Sequence, residues 1–131
     1  MTAELIARLE SADGPSGSLL LEAAKAVWVW GYVPTGVNPD VWVKRWNRFH
    51  RMLDAEAWTS AAEMLVPEGC LSMVRTVWAD AHAPTERPVG YASVDRYFKD
   101  DAGLFWKENF LALGETPALA LAAAALKARG V

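Results

Sequence analysis

Apolar residues recur at helical spacing at both ends of this chain and crowd into β-like runs in its middle. Leu5, Ile6 and Leu9 share one face of a short amphipathic helix over Thr2–Glu10. The stretch Ser11-Ala12-Asp13-Gly14-Pro15-Ser16-Gly17 breaks that pattern. A second helix is expected from about Ser18 to Trp30, capped by Ser16 or Ser18 and closed by Gly31. It is apolar nearly all round apart from Glu22 and Lys25, which predicts deep burial. Beyond a Pro/Gly loop at Tyr32–Val37, Asn38-Pro39-Asp40 combines a cap, a first-turn proline and an acid at the positive helix end. Trp42, Trp46, Phe49 and Leu53 then follow at helical spacing. Asp54 is expected to cap a further helix through Trp58, Ala61, Ala62 and Leu65, stopped by Pro67 and Gly69.

Cys70–Ala79 and Val89–Phe98 are rich in β-branched and aromatic residues and predict two strands. Their connection, Asp80–Pro88, is longer than a tight hairpin turn. Leu104–Leu113 suits a third short strand or an irregular segment covering the sheet. Thr116-Pro117 through Gly130 reads as a complete helix, with a hydroxyl cap, a first-turn proline and a glycine for the left-handed exit. Leu119 and at least one of Leu121 and Leu126 are expected to be buried against the sheet. The elements together predict an α+β fold: an α-β-α sandwich with a small, mainly antiparallel sheet and helices on both faces.

A length of 131 residues fits one domain, 1–131, large enough for a core without staples. The 53% hydrophobic and 22% charged content belongs to a globular protein. Cys70 is the single cysteine, so no disulfide closes within the chain and a reducing compartment is expected. The start lacks a signal peptide's basic and apolar regions, and the apolar runs Val27–Val33 and Pro117–Leu126 are too short to span a membrane. No membrane partner is therefore expected. A net charge of −3 argues against nucleic-acid binding by bulk electrostatics.

The residues Leu5-Ile6-Ala7-Arg8-Leu9-Glu10, Gly14-Pro15-Ser16, Ala61-Ala62, Leu65-Val66-Pro67-Glu68-Gly69 and Thr116-Pro117-Ala118-Leu119-Ala120-Leu121 resemble the phage ABA sandwich domain family, small phage and prophage proteins without an established activity. The matches span nearly the whole length and lie mainly at caps, turns and core alanines. The chain departs from the family at Ala55-Glu56-Ala57-Trp58-Thr59-Ser60, where a Tyr-Thr-x-Ser-x-Asp segment would stand. The basic helix Pro39–Leu53 resembles a local elaboration. The resemblance implies a phage or prophage origin, the sandwich fold and the host bacterial cytoplasm; it implies no chemistry, because a fold does not carry a function.

Candidate chemistry is sparse. His50, His82 and Cys70 are far apart in sequence, and Asp80 with His82 supplies two metal ligands where a structural zinc needs four; no metal and no cofactor is expected. There is no Gly-x-Ser-x-Gly elbow and no glycine-rich phosphate loop, and Cys70 reads as a buried structural thiol. Glu63, Glu68, Asp80, Asp95, Asp100 and Asp101 form no recognisable acid/base pair, Asp100-Asp101 being most simply a solvated turn. No catalytic residue is assigned.

Two clusters rise above this background. Lys44, Arg45, Arg48 and Arg51, beside Trp42 and Trp46, concentrate positive charge on one helix of an acidic chain, which suits an anionic ligand such as a nucleotide or an acidic host protein. The plain alternative is tryptophans packed inward and arginines solvated outside. Arg75 and Trp78 on one strand, with Tyr91 and Arg96 on the other, form the second cluster. Arg75 lies between Met73 and Val77 on one strand face, and Tyr91 shares a face with Asp95 and Tyr97. An arginine among apolar neighbours calls for a carboxylate partner, a pocket or an interface. The function class expected is a phage accessory protein binding a host-derived partner or small anion without catalysis, with a counter-defence role in view. The alternative is an oligomeric structural or assembly protein, for which seven tryptophans and open sheet edges suggest a homodimer.

Overall fold

Pro117–Arg129 has no polar face, and a helix apolar all round has to be surrounded. The computed structural model, which describes residues 2–13, 16–28, 35–78 and 88–130, shows what surrounds it. The elements in chain order are α1 (Thr2–Ser11), α2 (Gly17–Val27), α3 (Pro39–Asp54), α4 (Trp58–Glu63), β1 (Cys70–Trp78), β2 (Pro88–Lys99), β3 (Phe105–Gly114) and α5 (Pro117–Arg129). Ten of the thirteen residues of α5 are buried, Leu119, Leu121 and Leu126 among them. Its contacts run to all three strands on one side and to α1, α2 and α4 on the others. Alanine at Ala118, Ala120 and Ala122–Ala125 keeps the helix thin enough for both layers to close on it.

The ends of α5 are built as the sequence predicts. Thr116 Oγ1 accepts from the Leu119 amide at 3.3 Å, and Gly130 takes a left-handed φ of 68°. Ser16 caps α2 through the Leu19 amide, and Asn38 caps α3 through the Asp40 amide at 2.8 Å. Two local expectations are corrected. Asp54 does not cap the following helix; it is the last residue of α3. The chain leaves α3 through Glu56 at φ 58°, with Ala57 N–H donating to Met52 O and Glu56 N–H to Leu53 O, a Schellman exit without glycine. Also, α2 is not buried all round: Leu19, Leu20, Ala23 and Ala24 are buried, while Glu22, Lys25 and Ala26 face solvent. The deep position belongs to α5.

The sheet has the order β1-β2-β3, antiparallel throughout, and Phe105–Gly114 pairs along its whole length with β2, from Lys99↔Phe105 to Gly90↔Gly114. The chain is thus the expected α+β fold, a small antiparallel sheet with helices packed against it. Alternation puts Gly90, Ala92 and Val94 of β2 beside Val74 of β1 and Ala112 and Phe110 of β3 on the face beneath α5. Gly90 and Gly114 lie opposite one another under the first turn of that helix. A Cβ on Gly90 would fall onto the backbone of Thr116 and Pro117, and one on Gly114 would lie 3.0 Å from the Ala120 nitrogen. Two missing side chains therefore set how closely the helix approaches. The described helices gather on this face, with α1, α2 and α4 packed against α5 rather than across the sheet, so the expectation of helices on both faces is not met among the described residues. On the opposite face Leu71, Met73, Tyr97, Leu111 and Leu113 are exposed.

No helix among the described residues is long and apolar enough to cross a membrane.

Candidate functional site

The apolar positions of α3 turn toward α2 and α4, and they deliver three aromatic rings to one place. Trp28, just past α2, meets Trp46 and Phe49 edge-on, with ring centroids 5.7 Å apart in each case. Trp46 and Phe49 also meet edge to face at 6.3 Å. Such geometry sets a positive ring edge against a negative ring face and fixes the helix orientation. Trp42 joins this wall one helical turn earlier. The spacing 42, 46 and 49 was legible as a buried stripe and is one.

Position 45 lies between Trp42 and Trp46 on the same helical surface, so Arg45 cannot point straight outward. Its guanidinium carbon stands 5.6 Å from the Trp42 ring centroid and 5.7 Å from that of Trp28. Lys44, Arg48 and Arg51 are exposed. The basic cluster read from the sequence is therefore divided: one arginine sits on the aromatic wall, and three cations project into water.

Arg45 opens onto a cleft of about 470 Å³, walled by Val27, Trp28, Trp42, Met64 and Val66, with Glu68 and Arg129 at its polar margin. Arg129 comes from the last turn of α5, and its Nε donates to the Leu65 carbonyl at 2.7 Å. Burial first, and then the like charge of Arg45, holds the Arg129 guanidinium below the ordinary arginine pKa. A depressed pKa on a cation means that the charged form is disfavoured in the fold. Arginine nonetheless stays protonated near neutral pH, so the repulsion persists there. Among the described residues neither arginine has a carboxylate in ion-pair contact; the ion pairs described join Arg8 to Glu22 and Lys127 to Glu10.

One tryptophan lining this cleft carries a donor without a partner. Trp42 is 6% exposed, and its indole N–H is buried without an acceptor. A buried donor left without a partner costs about 1–3 kcal/mol. The cleft thus combines aromatic walls, two guanidinium groups without an ion-pair partner among the described residues, the Glu68 carboxylate at the same margin, and a lining tryptophan whose buried donor goes unused. Its volume lies within the ~300–1,000 Å³ usual for small-molecule sites.

The second sequence cluster does not converge. Arg75 and Tyr91 meet on the sheet face away from α5, with the guanidinium carbon 4.8 Å from the ring centroid. Arg96 is on the other face, where Nη2 donates to the Ala128 carbonyl and the guanidinium carbon stands 5.6 Å from the Phe110 ring centroid. Arg96 therefore satisfies a carbonyl at the C-terminal end of α5, an anchoring role. Trp78 pairs with Pro88 along the backbone, and its side chain lies outside the described residues, as does His82. Cys70 is half-buried at the start of β1. Among the described residues no three histidine, cysteine or carboxylate side chains gather as metal ligands.

Trp28 and Arg129 were missed in the sequence reading. Trp28 stands inside an apolar run, and nothing in the sequence singles out Arg129, a cation in the last turn of a helix. Neither carries a local signal, because the cleft exists only once α5 lies beside α3 and α4. Comparison with known proteins adds no assignment: no family model, curated protein or solved structure matches the chain.

Proposed function

We propose that this chain is a phage or prophage accessory protein that binds a small anionic molecule with a flat aromatic part, such as a nucleotide, and acts without catalysis. The observation that carries the reading is the pair Arg45 and Arg129, like charges at the mouth of an aromatic cleft, neither of them in ion-pair contact with a carboxylate among the described residues although Glu68 stands at the same margin. An anion between them would relieve their repulsion, and Trp28 and Trp42 wall the cleft in which the flat part of such a ligand would lie. The phage setting and the bacterial cytoplasm rest on the family resemblance of Leu65–Gly69 and Thr116–Leu121 alone. Sequestering a host signalling nucleotide is the counter-defence role that fits a binder with no legible catalytic group.

The test is ligand-dependent melting with inorganic phosphate, adenosine and adenosine monophosphate. Binding to the native state alone stabilises by about 2.7 kcal/mol at 100 times the dissociation constant. The nucleotide should raise the melting temperature more than phosphate or adenosine does. Arg45→Gln should remove the phosphate response, whereas Arg48→Glu with Arg51→Glu should leave it, since those side chains stand away from the cleft. No shift with any of the three at ~10 mM would refute the reading. So would a response lost only in the Arg48/Arg51 double variant, which would return the site to the outer helix surface.

A further inference from the structure

We infer that the sheet face turned away from α5 is a self-complementary dimer interface, covered by the same face of a second copy of this chain. This face is built in levels. Leu71, Asp95 and Asn109 lie across the three strands at one level; Met73, Ser93 and Leu111 at the next; Arg75, Tyr91 and Leu113 at the third. Tyr97 and Lys107 extend it at one end, and Lys99 and Phe105 lie beyond them. Leu71 is 63% exposed and Phe105 79%, with Met73, Tyr97, Leu111 and Leu113 each about half exposed. Together these six side chains leave on the order of 600 Å² of apolar surface in water, taking ~150–250 Å² for a whole aromatic side chain. That is the top of the ~300–600 Å² range for the largest apolar patch on a monomer, and it approaches the ~800 Å² per partner of a standard interface.

Charge decides the occupant and its orientation. The middle level is uncharged, and it is flanked on one side by a cation, Arg75, and on the other by an anion, Asp95. A two-fold axis in the plane of the sheet, across the strands at the level of Met73, Ser93 and Leu111, exchanges the two flanking levels. Tyr91 then stands opposite the second copy's Asp95, and Arg75, already against the Tyr91 ring, opposes its Leu71 beside the same carboxylate. The contact is made twice. Aligned sheets pack about 10 Å apart, a gap that an arginine and an aspartate from facing sheets can span. The alternative axis, along the strands, would set Asp95 against Asp95, a like-charge contact in a desolvated interface. Edge pairing through β3 is opposed by Lys127, whose Nζ donates to the Leu111 carbonyl at 2.9 Å and pairs with Glu10 at 3.3 Å.

Sedimentation equilibrium of the full chain tests this. The wild type should be dimeric at ~20 µM, an affinity in the micromolar range or tighter. Leu111→Asp and Met73→Glu should each give a folded monomer, with unchanged far-ultraviolet circular dichroism. Arg75→Glu and Asp95→Arg should each weaken association about tenfold or more, and the double variant should recover most of it by exchanging the charges. A monomeric wild type at ~100 µM would overturn the inference, whatever else the face then held. A dimer insensitive to Leu111→Asp, or a charge-exchanged double variant weaker than either single one, would overturn it equally. None of these residues belongs to the arginine–tryptophan cleft, so this result is independent of the ligand test.

Discussion

Gly90→Ala should be among the most damaging one-carbon changes available in this chain. The glycine stands in the central strand, where alanine would ordinarily be the better residue by about 0.5–1 kcal/mol, because glycine surrenders more chain entropy on folding. Here the added carbon would fall onto the backbone of Thr116 and Pro117, and no flexible side chain can swing away. The first turn of α5 must lift off the sheet. Overpacking of that kind costs about 1–3 kcal/mol, and loosening the Thr116 cap to the Leu119 amide puts a further ~0.5–2 kcal/mol at risk. Set against the entropy gain, the net loss should be about 2–3 kcal/mol, a large part of the ~5–15 kcal/mol that a domain has.

Gly114→Ala is the internal control. Its Cβ would lie 3.0 Å from the Ala120 nitrogen and 3.3 Å from the Leu119 Cβ, contacts that a shift of a few tenths of an ångström relieves. Entropy gain and strain then nearly cancel, within about 1 kcal/mol. Urea unfolding of the wild type and both variants gives the comparison, with an unchanged denaturant slope showing that the folded state keeps its extent. A Gly90→Ala variant within ~0.5 kcal/mol of wild type, or no less stable than Gly114→Ala, would refute the close approach of α5 to the sheet.

Two further outcomes follow from the same packing and from the β2–β3 turn. Leu119→Ala should cost about 2–5 kcal/mol and Leu119→Asp should prevent folding, since Leu119 is fully buried between sheet and helices; an unchanged melting temperature for either would mean that α5 is not docked. Asp100 accepts from Trp106 Nε1 at 2.7 Å and from the Leu104 and Ala102 amides, and these bonds, the Trp106 one first, hold its pKa below the ordinary 3.8. The stabilisation is therefore present above the unfolded-state value and is lost as pH falls through the lower, folded-state one. A carboxyl titration by NMR should place the Asp100 midpoint below 3.8, and a midpoint at or above that value would contradict the turn geometry.

The difference between what the sequence disclosed and what it withheld has a physical pattern. Helix ends were legible because caps are local: Thr116, Ser16 and Asn38 each bond an amide two or three residues away. The exit from α3 was not, because Glu56 takes a left-handed conformation that sequence reasoning reserves for glycine or asparagine. The strands were legible from their β-branched and aromatic content, and β3 was the least so, with Lys107, Glu108 and Asn109 interrupting its apolar positions. Depth was misjudged between two apolar helices. α2 and α5 look equally greasy, but α5 lacks any charge before Lys127, whereas Glu22 and Lys25 give α2 a solvent side. A charge-free run of that length was the better sign of a central helix.

The same contrast explains the site. The sequence put Arg45 with Lys44, Arg48 and Arg51 because neighbours along the chain share a net charge. The fold sorts them instead by helical angle: 45 falls within the stripe of 42, 46 and 49, and the other three fall outside it. Arg129 then arrives from the far end of the chain, where its charge had a sufficient local explanation in the helix C-terminus. Two cations each placed for an ordinary reason become an unusual pair only in three dimensions, half-buried and with no carboxylate in ion-pair contact among the described residues. Electrostatics disfavours such a pair unless something negative is recruited, whereas a charge cluster spread over a solvated helix face costs little. The cost is what distinguishes the cleft from the outer surface, and it is why the functional weight moves from Arg48 and Arg51 to Arg45 and Arg129.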